Sequence, residues 1–498
     1  MSRKESFRFR RGPAILDALR KRSLHFRLMT HTVHGKPVAP VLGALLLAAL
    51  AYALSQTTVA PALPHITDEY GTTQSSSAWV LTGYLLSASV CTPLAGKLGD
   101  IFGKARVLTA VLAVFGLGSI VCALAGSIEV LIAGRVVQGV AGGVFPLAFG
   151  IVNDELPPEK RATAIGLISA MFGIGGGIGM PLSGLIVDHA HLSLLFWIGL
   201  MALPAAAAVF FLVPPSPARE RTRIDWRGAA VMSAGLVALL LGITKANDWG
   251  WGSLNVLGLI GGGVLVLVAF VQLQLRTAQP LVDMRILKNR PVLATNATGF
   301  LVGASMFGSF LLIPQFAQAA KSTGYGFGFS VTGAGLVMLP SALTMLFAGP
   351  LGGKLGNRYG FRAMLALGTI LAGLSFALLA AAHEHVWEFM AAGILMGAGI
   401  SFAFAAMANL IVGAVDRRDV GIATGINTIT RTAGGAFGSA VVTAMLTADT
   451  IGAGPIPTEH AYTEAFGLSA LVALIALASA LAIPRIKGVR REPVPATA

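Results

Sequence analysis

Gly96-Lys97-Leu98-Gly99-Asp100-Ile101-Phe102-Gly103-Lys104-Ala105-Arg106 reads as a charged, glycine-punctuated turn between two long apolar segments. It recurs 257 residues later (353 − 96) as Gly353-Lys354-Leu355-Gly356-Asn357-Arg358-Tyr359-Gly360-Phe361-Arg362, with the same Gly-Lys-Leu-Gly opening and an aromatic-glycine pair at the same place. A recurrence with corresponding flanks predicts two related halves, each organised around its own copy of the turn.

The segments on either side of each copy fix the medium. Of 498 residues 55% are apolar and only 12% charged, with mean hydropathy +0.76, whereas soluble globules carry about twice that charge. The net charge of +14 raises nucleic acid as a partner, so the position of the basic residues has to decide. They fall in short loops between apolar runs of about 20 residues, the length that crosses a hydrocarbon core of about 30 Å. That pattern points to membrane lipid and away from nucleic acid. Cys91 and Cys122 both lie inside apolar runs, and the nine histidines do not cluster at ligand spacing, so neither a disulfide framework nor a metal site is expected.

Fourteen such runs, from 39–61 to 462–484, predict an all-α polytopic membrane protein, since runs this long lack the alternation of a barrel strand. If the N-terminus is cytoplasmic, the inner segments hold 32 of the 36 Lys and Arg residues. Lys245 and Lys321 alone fall outside, and Arg135 and Arg431 lie within spans. Both termini are therefore expected in the cytoplasm. The expected organisation is a basic tail (1–38), a six-helix bundle (39–213), a hinge plus two inserted helices that the 257-residue offset leaves unmatched (214–290), a second six-helix bundle (291–484) and a tail (485–498). Residues 13–29 have an amphipathic pattern, but we read them as a disordered positive-inside anchor, and Met29 offers a second start.

An arginine in mid-bilayer costs at least about 2.5–3.5 kcal/mol, so Arg135 and Arg431 must face protein or water. Tyr84, Asn296, Gln315 and Asn409 are polar groups in spans, where a cavity or a neighbouring helix is the favoured surrounding. Trp79 fits an interfacial belt. Span five holds Gly173, Gly175, Gly177, Gly179 and Gly184 with Pro181, a density suited to a helix that slides or flexes against its neighbour. No Gly-x-x-x-x-Gly-Lys-[Ser/Thr] loop is present, and no loop is long enough for a soluble catalytic domain, so neither an ATP-driven pump nor an enzyme is expected.

These residues resemble the major facilitator superfamily, specifically its 14-span drug:proton antiporter branch of bacterial multidrug and antibiotic exporters. Gly96–Arg106 fits that family's signature turn, and Trp79, Tyr84, Arg135 with Gln138-Gly139, and Arg431 through Gly435 also fit. Gly179-Met180-Pro181-Leu182-Ser183-Gly184 matches the antiporter signature with its proline shifted by one. Where the family carries Leu-Asp-x-Thr, this chain has Leu54-Ser55-Gln56-Thr57, and none of its 22 acidic residues falls in mid-membrane.

The resemblance implies two six-helix bundles rocking around a central cavity in the bacterial plasma membrane, in a monomer that uses the proton gradient and no cofactor. It implies substrate contacts from Gln56, Tyr84, Arg135, Gln138, Asn296, Gln315, Asn409, Asn427 and Arg431. Gly96, Asp100, Gly103, Lys104 and Arg106 become an inner latch, with Gly175, Gly179, Pro181 and Gly184 on the antiporter helix. With no span-one acid, proton coupling falls to Asp188 first, then Asp100, His65 and, weakly, Asp154. Two arginines without an acid predict neutral or anionic lipophilic substrates. An importer of a small metabolite has the same architecture, and a membrane sensor or membrane enzyme is a more distant alternative.

Overall fold

The computed structural model describes residues 32–33, 36–215, 225–416, 419–451 and 456–484. The tails, including residues 13–29 and Met29, lie outside them. A two-stranded ladder, β1 (Thr32–Val33) and β2 (Lys36–Pro37), precedes the helices.

Fourteen long helical segments follow: α1 (Val38–Thr57), α2 (Gln74–Phe102), α3 (Lys104–Ala123), α4 (Ile128–Glu155, with a 3-10 stretch at Gly139–Gly143), α5 (Pro158–His189), α6 (Leu194–Leu212), α7 (Trp226–Trp249), α8 (Leu254–Arg276), α9 (Arg290–Gln318), α10 (Val331–Tyr359), α11 (Phe361–Ala381), α12 (Val386–Ala414), α13 (Val420–Ala448) and α14 (Glu459–Ala482). Among the described residues thirteen helices are long and apolar enough to cross a membrane. The exception is α13, where Thr424, Asn427, Thr428, Thr430, Arg431 and Thr432 interrupt the apolar run.

The repeat is exact at its centre. Shifted by the 257 residues that separate the motifs, α2 becomes 331–359, the bounds of α10. The motif is not the long turn its glycines suggest. In both copies helix continues almost to the end, and the chain breaks at one residue, Gly103 (φ +96°) or Gly360 (φ +91°), in a conformation that side chains resist. The earlier glycines serve close approach instead. A Cβ on Gly96 would lie 2.7 Å from the carbonyl oxygen of Gly421 in α13, and one on Gly353 would lie 2.4 Å from that of Ala162 in α5.

Helices α1–α6 and α9–α14 form two six-helix bundles, with α7 and α8 as an inserted pair. The bundles meet along α5 and α10, from Ala162 against Gly353 near the motif end, here called the inner end, to Gly184 against Thr332 at the outer end. A second seam joins α2 to α13, where Gly96 faces Gly421 and Pro93 lies behind Gly425. Gly166, Gly173, Gly177 and Gly184 of α5 face α10, while Gly175 and Gly179 face Ala53 and Thr57 of α1. Its glycines thus serve two neighbours at once, and the contact is sealed by Thr57 Oγ1 donating to the Gly175 carbonyl at 2.8 Å.

A candidate transport site between the bundles

Arg135 is fully buried in α4. Its Nε donates to the Val80 carbonyl at 3.1 Å, and Nη1 reaches Gln138 Oε1 at 2.7 Å and the Ser55 carbonyl at 3.5 Å. Gln138 in turn donates to Ser119 Oγ at 2.7 Å, and the guanidinium carbon sits 4.2 Å over the Tyr84 ring. Carbonyl dipoles and one aromatic face therefore compensate this charge, with no carboxylate in the network. One amino group, Nη2, has no hydrogen-bond partner. Ser55, buried at the position where an acid was looked for, contributes only its backbone.

Arg431 of α13 is compensated more weakly. Its guanidinium carbon lies 4.0 Å over Phe404 of α12 and 5.7 Å from Phe172 of α5, a cation–π arrangement across the bundle interface. A chain of rings connects the two arginines. Tyr84 lies 6.4 Å from Tyr52, Tyr52 lies 5.6 Å from Phe145, Phe145 lies 6.0 Å from Phe172, and Phe172 lies 5.8 Å from Phe404. The centre is thus an aromatic wall with a cation at each end, able to hold a flat apolar body and favour negative charge. Tyr52, Phe145, Phe172 and Phe404 are not singled out by the sequence, because a ring packed at the centre and one facing lipid look alike in a single sequence.

Other expected contacts scatter. Asn427 Nδ2 donates to Asn296 Oδ1 at 2.9 Å, tying α13 to α9, and Asn409 bonds its own helix at Ala405. Gln56 is partly buried at the outer end of α1, where its Oε1 has no partner. Gln315 is exposed at the outer end of α9, away from the centre, since water there satisfies an amide that the mid-membrane interior would not. Lys245, expected outside the membrane, is buried in α7, paired with Asp248 at 2.7 Å and lying 5.9 Å from the Trp79 ring.

At the inner end Lys104 is almost fully buried between Asp154 at 2.7 Å and Asp100 at 3.2 Å. Gly150 leaves a channel for its stem, because a Cβ there would meet Lys104 Cδ at 2.5 Å. Arg106 is exposed and stands apart from this cluster. Asp100 also lies beside the start of α13, its Oδ2 3.3 Å from a Cβ placed on Gly421. At the outer end Asp188 is exposed and accepts a hydrogen bond from Thr332 Oγ1 at 2.9 Å, linking α5 to α10. His65 is exposed in the short outer helix Leu63–Glu69.

The profile of the Major Facilitator Superfamily matches residues 45–326 and 297–498. The chain belongs to that superfamily. Among similar proteins of the superfamily, the multidrug transporter protein MdtP of Bacillus subtilis is 28% identical over 411 residues, 81% of this chain and 74% of its own. The tetracenomycin C resistance and export protein of Streptomyces glaucescens is 28% identical over 422 residues, 82% of this chain and 76% of its own. In fold, the human organic anion transporter MFSD10 superposes with a TM-score of 0.65 at 17% identity, covering 89% of this chain and 99% of its own. The protein is a multi-pass membrane transporter of this superfamily, with a multidrug transporter and a resistance and export protein among its relatives.

Proposed function

We propose that this transporter exports uncharged or anionic lipophilic compounds from the bacterial cytoplasm by alternating access, in exchange for protons and as a monomer in the plasma membrane. The observation that carries the reading is the central aromatic wall between Arg135 and Arg431, which has no carboxylate to attract a cation. The related tetracenomycin C resistance and export protein supports the direction.

Two contacts between the bundles are suited to alternation. The inner one brings Asp100 and its lysine against the start of α13, and the outer one joins Asp188 to Thr332. Breaking the hydrogen bond from Thr332 to Asp188 frees the outer ends of α5 and α10 to part. Each contact needs to bias the two arrangements by only about 1–3 kcal/mol.

Carboxyfluorescein transport in inside-out vesicles tests this. Proton-driven uptake that a protonophore collapses is the expected result, with Arg431→Ala lowering it about tenfold, within the usual range of a site coupling. Asp188→Asn should abolish it. Movement in the opposite direction, or indifference to the protonophore, refutes export by proton exchange.

A further inference from the structure

Beside the central site lies a cavity of about 220 Å³. It fills the wedge where α2 and α13 diverge: these helices touch at Gly96 and Gly421 near the inner end, but between Thr82 and Ser439 they stand apart. The third wall is the inserted helix α7, through Thr244 and Asn247, and Phe307 of α9 also lines the space. None of the described residues lining it is acidic or basic. The walls are apolar and set with hydroxyl and amide groups, the converse of the arginine-flanked centre.

The inserted helix packs against both of its neighbours. Its inner half shares a packed cluster with both, in which Met232 and Leu236 join Ile422 and Ile429 of α13 and Leu94 of α2 packs against them. At its outer end Asn247 Nδ2 donates to the Ala440 carbonyl at 3.0 Å, and Trp251, hydrogen-bonded to Asn247, packs edge-on against Phe437. Toward α2 its outer end offers the Lys245–Trp79 contact at 5.9 Å. The cavity is thus walled by α2, α7 and α13, with α7 packed on both of the others.

We infer that this wedge is a binding site for uncharged lipophilic molecules bearing hydrogen-bond acceptors. It lies on a lateral route from the central site to the outer leaflet, with α7 as its third wall. The central side of the same walls is close: Thr432 lines the wedge one residue from Arg431, and Thr82 does so two residues from Tyr84. Anions held by the arginines have no counter-charge here, so only neutral substrates use this route. The route, though not the binding, rests on the export reading above.

Thr244→Trp and Ser439→Trp fill the cavity. Each should lower export of uncharged Nile red about tenfold, in the range of a lost site coupling, while carboxyfluorescein export stays within about twofold. Leu265→Trp on the exposed face of α8 controls for bulk alone and should change neither. A binding test is independent of transport: Ser439→Cys, in a background of Cys91→Ser and Cys122→Ala, is labelled with N-ethylmaleimide in purified protein. Nile red should slow that labelling and carboxyfluorescein should not. Protection without wild-type export would overturn the export reading and keep the site. Labelling indifferent to Nile red in folded protein, or tryptophan variants that export Nile red normally, would overturn the site.

Discussion

At the first motif Lys104 lies buried between Asp100 and Asp154, and Gly150 clears a path for its stem. At the second, the four equivalent positions are Phe361, Asn357, Ile411 and Met407. The lysine has become a phenylalanine, its main acid an isoleucine, and the glycine that made room for the stem a methionine. Replacing a buried ion pair by packed apolar groups is often neutral or stabilising, so the second half shows that this helix junction holds together without charge. What the charged version adds is a contact that a proton or entering water can undo. On the alternating-access reading proposed above, the first half would supply a switch at the inner seam and the second a fixed bearing.

What the copies share should be the most sensitive to change. Gly96 and Gly353 both press backbone against the opposite bundle, and a Cβ at either meets main-chain atoms at 2.7 or 2.4 Å that have no rotamer to escape into. Gly96→Val and Gly353→Val should each reduce export in vesicles more than about a hundredfold, the upper end of conformational coupling, at normal expression. Substantial export by either variant would show that the two seams are not equivalent.

The charged node comes next. Lys104→Ala removes the buried cation that two carboxylates share and should cost about 3–5 kcal/mol in unfolding of the purified protein, with export lost. Copying the second half, Lys104→Phe with Asp154→Ile and Gly150→Met, should bring stability back to within about 1 kcal/mol, as volume-conserving apolar repacking does, without restoring export. If the triple variant transports, charge at the node is not the switch.

Much of this architecture was legible because lipid leaves few choices. Long apolar runs can only be helices, and a repeated motif at a fixed offset can only be a duplication. Arg135 and Arg431 were legible for the same reason, since a cation in a span has only the protein interior to face. The helix ends were not, because glycine breaks helices in water, yet Gly96 and Gly99 stay helical where the opposite bundle or a neighbouring side chain occupies the space a Cβ would need. Nor were the rings: Phe210 and Phe211 are 66% and 69% exposed on the outer surface, while Phe145 and Phe172 line the centre, and nothing local distinguishes them.

A smaller effect is expected at Ser55, whose carbonyl already lies 3.5 Å from the Arg135 guanidinium. Ser55→Asp places a carboxylate where one charge has no ionic partner, so anion export should fall about fivefold, the low end of such couplings, and cationic dyes should become substrates. An unchanged dye spectrum would mean that the net charge of the centre does not select substrates.

The smallest effect is expected from giving the second motif its missing charge. Asn357 is exposed, and with Phe361 in the lysine position an aspartate there has no buried cation to meet. Asn357→Asp should therefore shift stability by no more than about 1 kcal/mol, as exposed charges do, and leave export within about twofold. The same substitution made together with Phe361→Lys, Ile411→Asp and Met407→Gly rebuilds the whole node. If charge at this position makes a switch, the rebuilt protein should gain salt- and pH-dependent export that the single variant lacks. A rebuilt node as indifferent to salt and pH as the single change would mean that the switch resides in the α13 start beside Asp100, and that the lysine merely fills its channel.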